Sequence, residues 1–111
     1  LDTLESDAYA TGTVLTALYA VGGMESDDLA YRRGIQFLLA SQKDDGSWFI
    51  RSRSKPFQLY FESGFPHTKN QWISCAGTSW ATVALVLACD FDKSARANLR
   101  KTDAPAFRYY E

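Results

Sequence analysis

Histidine and methionine each occur once in these 111 residues, cysteine twice and proline three times. Each scarcity excludes something. Two cysteines give no disulfide framework of the kind small secreted domains rely on, and no Cys-x-x-Cys pair is present to hold zinc. Cys75 and Cys89 fall in one apolar stretch. On a single helix they would stand about 21 Å apart, at ~1.5 Å rise per residue, well beyond the roughly 7 Å a disulfide allows. Both are read as buried thiols, which neither demand nor exclude a reducing compartment. Twelve basic and thirteen acidic side chains leave a net charge of −1, so there is no excess to attract nucleic acid or an anionic membrane. No apolar run approaches the ~18 residues expected of a transmembrane helix. Glycine-rich phosphate loops and Gly-x-Ser-x-Gly elbows are absent. There is no signal peptide; the chain opens at Leu1 rather than Met, as an expressed piece or processed product would.

What is present is globular composition: 46% hydrophobic, 23% charged and 14% aromatic residues, enough to build a core in one small domain. Three segments have helical character. In SDAYATGTVLTALYAVGG, Ser6 can cap, Asp7 suits the positive end of the dipole and Gly22–Gly23 stops the helix. Tyr9, Val14, Leu18 and Val21 approximate one face, with Ala10 and Ala17 permitting close approach. Gly12 costs about 1 kcal/mol relative to alanine in a helix, a cost that makes sense if a neighbouring helix comes near. In SDDLAYRRGIQFLLASQ, Ser26 can cap and Asp27–Asp28 form an acidic first turn. Tyr31, Ile35, Leu38 and Leu39 make the apolar face with Phe37 at its edge, while Arg32 and Arg33 face outward. The short connection between these two helices makes them antiparallel neighbours. In SCAGTSWATVALVLACD, Trp80, Ala84 and Leu87 share a face flanked by Val83 and Val86. This helix is apolar nearly all round, which implies burial on more than one side. Asp92 to Arg100 reads as a short polar helix, and residues 102–111 as an extended tail beyond a single unit spanning residues 1–101.

Between Gly46 and Trp72 lies a long segment with no clear helix, holding Trp48, Phe49, Phe57, Tyr60, Phe61, Phe65 and Trp72. A loop of this length in a compact domain is functional or wraps over a core. Strand-like pieces fit Trp48–Arg51 and Phe57–Phe61. Glu62 and His67 are the titratable groups embedded among Tyr60, Phe61, Phe65 and Trp72. A carboxyl among aromatics can have a raised pKa and act as an acid, and aromatic faces attract cations. Glu62 and His67 are therefore the candidate catalytic residues, and the four aromatics the candidate cavity lining. The bland reading is that the aromatics close one end of the fold and Glu62 pairs with an arginine.

The stretch RGIQFLLASQKDDGSW is more specific. Arg33-Gly34, Phe37-Leu38, Gln42 and Gly46-Ser47-Trp48 stand at the spacing of the QW motif, and so resemble the repeat of squalene and oxidosqualene cyclases at every defined position. DAYATGTVLTALYAVGG and TSWATVALVLA are similar to helices of the inner barrel in that superfamily, so the likeness runs from about Ser6 to Ala88. The resemblance implies an all-α fold: part of an α/α toroid of antiparallel helix hairpins, as in terpenoid cyclases and protein prenyltransferases, around an apolar cavity for an isoprenoid ligand. It also implies that the QW motif is structural, Gln42 reaching the start of an adjacent helix and Trp48 stacking on Gln42. Asp44–Asp45 then belongs to a solvated turn, with Gly46 free to take positive φ.

The initiating chemistry of such enzymes is missing. Cyclases that protonate an alkene or epoxide use an Asp-x-Asp-Asp segment, and only KDDG occurs here, inside the turn. No magnesium-binding carboxylate cluster is visible, and His67 with Cys75 lacks an Asp-x-Cys partner for a prenyltransferase zinc; no metal or cofactor is expected. So few helices cannot close a ring. The expected partners are the remainder of a larger toroid chain or further copies of this one, with no nucleic acid and no transmembrane segment. Whether the whole is a terpenoid-cyclase-like enzyme depends on an Asp-rich motif elsewhere in a parent chain. The alternative is a non-catalytic toroid scaffold or ligand-binding module of a larger bacterial protein.

Overall fold

A computed structural model describes residues 5–55 and 59–108, with side chains as far as Asn98 apart from Ala95. It is all-helical: α1 (Ala8–Val21), α2 (Leu29–Ser41), a single 3-10 turn (Thr68–Asn70) and α3 (Gln71–Arg108). The caps fall later than the sequence suggests. Asp7, not Ser6, caps α1, its carboxylate accepting from the Ala10 amide at 2.8 Å. Asp28, not Ser26, caps α2, accepting from the amides of Ala30 and Tyr31. In both cases the last acid before the helix outcompetes the serine, because an ionised acceptor bonds more strongly to an orphan N–H.

The contacts fix the helix directions. Leu15 lies against Gly34, while Tyr19 and Tyr31 meet the two edges of Phe91 at 5.5 Å each. α1 and α2 therefore run antiparallel. Gly12 faces Trp80 and Ala81, and the Tyr19 hydroxyl donates to Asp90 at 2.7 Å, so α1 and α3 run parallel. A Cβ built on Gly12 would fall 2.7 Å from the Trp80 carbonyl carbon. The glycine is thus what lets two helix backbones touch.

The faces differ from the simple apolar reading. α1 buries Ala8, Gly12 and Leu15; Tyr9, Val14 and Val21 are exposed. In α2, Tyr31 and Leu38 are buried as expected, but Leu39 is exposed. In α3 the inward face is small and polar: Gln71, Ser74, Gly77, Ala81 and Ala84 are buried. Trp72, Trp80, Val83 and Val86 point away from the chain's own core, and both cysteines are exposed rather than buried. Close backbone approach selects small residues on the contact side and displaces the bulky ones outward. α3 also runs unbroken through the stretches read as a separate polar helix and an extended tail. By length and composition alone, the helical stretch Thr68–Asn98, which joins the 3-10 turn to α3, is long and apolar enough to cross a membrane, whereas the sequence reading expects no apolar run of that length. Asn70, Ser74 and Thr78 in that region are already engaged by the rest of the chain.

That engagement is the organising feature of the fold. Residues 48–52 are extended, yet they form no strand. Their alternate amides are bound by side chains instead: Trp48 N–H by Thr78 Oγ1, Ile50 N–H by Ser74 Oγ and Ser52 N–H by Asn70 Oδ1, all at 2.9 Å. Ile50 then presses on Gly77, where an added Cβ would clash with Ile50 Cγ1. The stretch Phe57–Phe61 is likewise no strand from Leu59 onward, and Phe57 lies outside the described residues.

Three outcomes follow in urea unfolding. Gly12→Ala destabilises the chain even though alanine gains about 1 kcal/mol of helix propensity, because the clash is with backbone. Gly34→Ala changes little, since it meets the movable Leu15 methyls. Ser74→Ala leaves the Ile50 amide buried and unpaired and costs roughly 1–3 kcal/mol.

Candidate functional site

The turn that closes α2 is built by its own residues. The Gly46 amide donates to Lys43 O, the Lys43 amide to Ser47 O, and Gln42 Nε2 to Gly46 O at 2.9 Å. Gly46 takes φ 86°, a value that strains any residue with a Cβ. Gln42 thus ties its own turn, whereas the resemblance implies that it reaches the start of an adjacent helix. Trp48 is 2% exposed, and its indole N–H donates to Leu38 O at 2.8 Å. Leu38 lies in the last turn of α2, where its carbonyl also accepts from the Ser41 hydroxyl at 3.4 Å. Trp48 therefore caps the end of α2 from the side while its own amide is fastened to Thr78 on α3. Of the other motif residues, Arg33 is exposed, Phe37 is half-buried against the core, and Gly34 receives Leu15.

Asp44 and Asp45 are exposed in this turn. Asp45 Oδ1 accepts from the Ser47 amide at 2.9 Å and from the Ser47 hydroxyl at 2.6 Å. The Ser47 hydroxyl, first, and the Ser47 amide hold the Asp45 carboxyl below its ordinary value. Ser47, itself buried, also meets His67 Nε2 at 2.7 Å, and the His67 ring packs edge-on to Phe49 at 5.4 Å. His67 and Thr68 both have positive φ, 84° and 45°. Nothing in the sequence spacing announced that Asp45, Ser47 and His67 would meet. The signal was only that a serine flanks an Asx-type turn opposite a long loop.

Glu62 follows a different course from the one its aromatic neighbours suggested. It is exposed, and it accepts from the Tyr60 hydroxyl, from the Gly64 amide at 2.8 Å and from Gln71 Nε2 at 3.3 Å. Donation by Tyr60, then by Gly64 and Gln71, holds its carboxyl below the ordinary range. It is an ionised acceptor, not an acid held protonated in an apolar enclosure, and its partners are not an arginine. Gln71, fully buried at the start of α3, is the hub: it also accepts from the Ser63 amide and donates to Tyr60 and to Thr68 O. No local sequence pattern announces that role.

Tyr60, Phe61 and Trp72 are exposed and Phe65 is half-buried; Trp72 donates its indole N–H to Phe61 O at 2.9 Å. They make an open apolar surface. Two shallow recesses lie elsewhere. One, of about 270 Å³, sits between the start of α1 and the end of α2 beside Gln42 and Trp48. The other, of about 240 Å³, lies between Trp48 and the Thr82–Cys89 stretch of α3. Among the described residues no group of three or more His, Cys, Asp or Glu side chains is placed to hold a metal ion.

Over 80 residues, 72% of its length, the chain is 35% identical to a lanosterol synthase of Aspergillus fumigatus. The chain spans about a tenth of the length of that protein, the matched stretch being 10% of it. This is a distant and partial likeness to a member of the squalene cyclase family, the family that the motif and flanking helices resemble. No family model matches the chain, and no solved structure matches it.

The pH dependence has a definite sign. Asp45 and Glu62 have folded-state pKa values below their ordinary 3.8 and 4.5. Their contribution is present above those ordinary values and is lost as pH falls through the lower folded ones. Asp45→Asn should therefore lower the Tm at pH 7, and the difference from the native chain should close in acid below the ordinary carboxylate range. A difference that persisted there would show that the Asp45 charge is not its source.

Proposed function

We propose that the chain is a segment of a squalene-cyclase-like protein, contributing helices and part of the wall of a cavity for an isoprenoid-type apolar ligand. One observation carries the reading. α1 and α3 run parallel with their backbones in contact at Gly12, and α2 runs antiparallel to α1. Alternating inner and outer rings of an α/α toroid call for that arrangement. The large side chains of α3 fit it as well. Trp72 is 58% exposed and Trp80 39%, a poor outcome for a surface that stays in water. In a closed ring such a face meets the cavity or the next helix pair. The partial likeness to a lanosterol synthase supports the same family.

On this reading the initiating acid lies outside the described residues. Asp44, Asp45 and Glu62 are exposed, and Asp45 and Glu62 are held in the ionised form. The same observation favours a second reading, a non-catalytic toroid scaffold or apolar-ligand module within a larger protein. The two readings separate on the native chain at its source. Intact mass and peptide sequencing should reveal a protein several times larger containing an Asp-x-Asp-Asp segment; a large chain without that segment favours the scaffold.

Ligand contact is testable on the chain itself. Titration with squalene should blue-shift the emission of Trp72 and Trp80, with Trp48, buried at 2% exposure, contributing no change. The response should be reduced in Trp72→Phe and Trp80→Phe. A spectrum unmoved by squalene would remove the apolar wall from this segment.

A further inference from the structure

The Asp45–Ser47–His67 chain of hydrogen bonds determines where the protons are, and this leads beyond the cyclase-like reading and independently of it. Ser47 has one hydroxyl hydrogen and two neighbours, Asp45 Oδ1 at 2.6 Å and His67 Nε2 at 2.7 Å. A carboxylate can only accept, and it is the stronger acceptor. The hydroxyl hydrogen therefore goes to Asp45, and His67 Nε2 must carry the hydrogen that it shares with Ser47 Oγ. This order is opposite to that of a serine hydrolase, where the imidazole accepts from the serine. Ser47, buried and committed to Asp45, is not a nucleophile here.

The consequence falls on the other ring nitrogen. With Nε2 fixed as the donor, neutral His67 presents Nδ1 as a free lone pair, and no group among the described residues is bonded to it. The ring is oriented by the Ser47 contact, by Phe49 packed edge-on at 5.4 Å, and by backbone held at φ 84°. Positive φ at two successive non-glycine residues is a strained arrangement of the kind that accompanies functional sites.

We propose that His67 is a proton-accepting site, presenting Nδ1 to a small-molecule O–H or N–H donor, with Ser47 and Asp45 as its positioning residues. On transfer, the donor's X–H bond breaks, its electron pair stays on X, and the proton binds Nδ1. The resulting imidazolium keeps its Nε2–H bond to Ser47 and gains the Asp45 carboxylate as a nearby counter-charge. No other reactant is required.

The chain holds a single histidine, so the imidazole of a 15N-histidine-labelled sample gives one unambiguous set of signals. In the neutral form, long-range 1H–15N correlation should show hydrogen on Nε2 alone and an unprotonated Nδ1. Ser47→Ala should release the ring into a mixture of both tautomers. Asp45→Asn, at an exposed position, should weaken the preference and slow acylation of His67 by diethyl pyrocarbonate. An Nδ1–H tautomer in the native chain would overturn the proposal. So would a tautomer ratio and an acylation rate that are the same in the native chain and Asp45→Asn.

Discussion

The docking of an extended segment along a helix holds this chain together. Two residues of extended chain advance about 6.6 Å, and four residues of α-helix advance about 6.0 Å. The two repeats nearly coincide, so every second amide from Trp48 to Ser52 finds a side chain one turn further along: Thr78, Ser74 and Asn70 in succession. The alternation that gives a strand its two faces here turns Trp48 and Ile50 inward and leaves Phe49 and Arg51 exposed. The helix thus replaces the second strand of a ladder. Gly77 follows from the same geometry, since Ile50 occupies the space that a side chain there would need.

Trp48 carries that constraint to the rest of the fold. Its indole closes the Leu38 carbonyl at the end of α2, and its amide is fixed to α3. One residue therefore sets the spacing between two helices, and the KDDG turn sets the position of that residue. At the opposite end Phe91 does similar work between Tyr19 and Tyr31. The Tyr31 hydroxyl is buried there without a hydrogen-bond partner among the described residues, and burial pushes its pKa up. The cost of an unpaired phenol is accepted where the ring edges fit.

The sequence made some of this visible. The positions of α1 and α2, their hairpin, the turn character of Asp44–Asp45 and the close approach at Gly12 follow from caps, spacing and glycine chemistry; the unbroken length of α3 does not. The helix faces do not follow. Periodicity ranks residues by hydrophobicity, which placed Val14, Leu39 and Trp80 inside. Backbone contact between α1 and α3 instead puts Ala8, Gly12 and Ala81 there, and Ala84 is the residue of the expected α3 face that does stay buried. Where helices pack this closely, side-chain volume outweighs hydrophobicity. The polar network around Gln71 and the meeting of Ser47 with His67 depend on how a long loop returns, and no local pattern encodes that path.

The same physics separates the carboxylates from the chemistry that the aromatic setting suggested. Aromatic neighbours raise a carboxyl's pKa only when they exclude water and offer no donors. Around Glu62 the aromatic is Tyr60, which presents its hydroxyl rather than its ring edge, and Gly64 and Gln71 add two more donors. Each stabilises the anion. Asp45 is treated likewise by Ser47. Both acids are thereby spent on holding loops. Neither acid is left in the dry, donor-poor setting that keeps a carboxyl protonated.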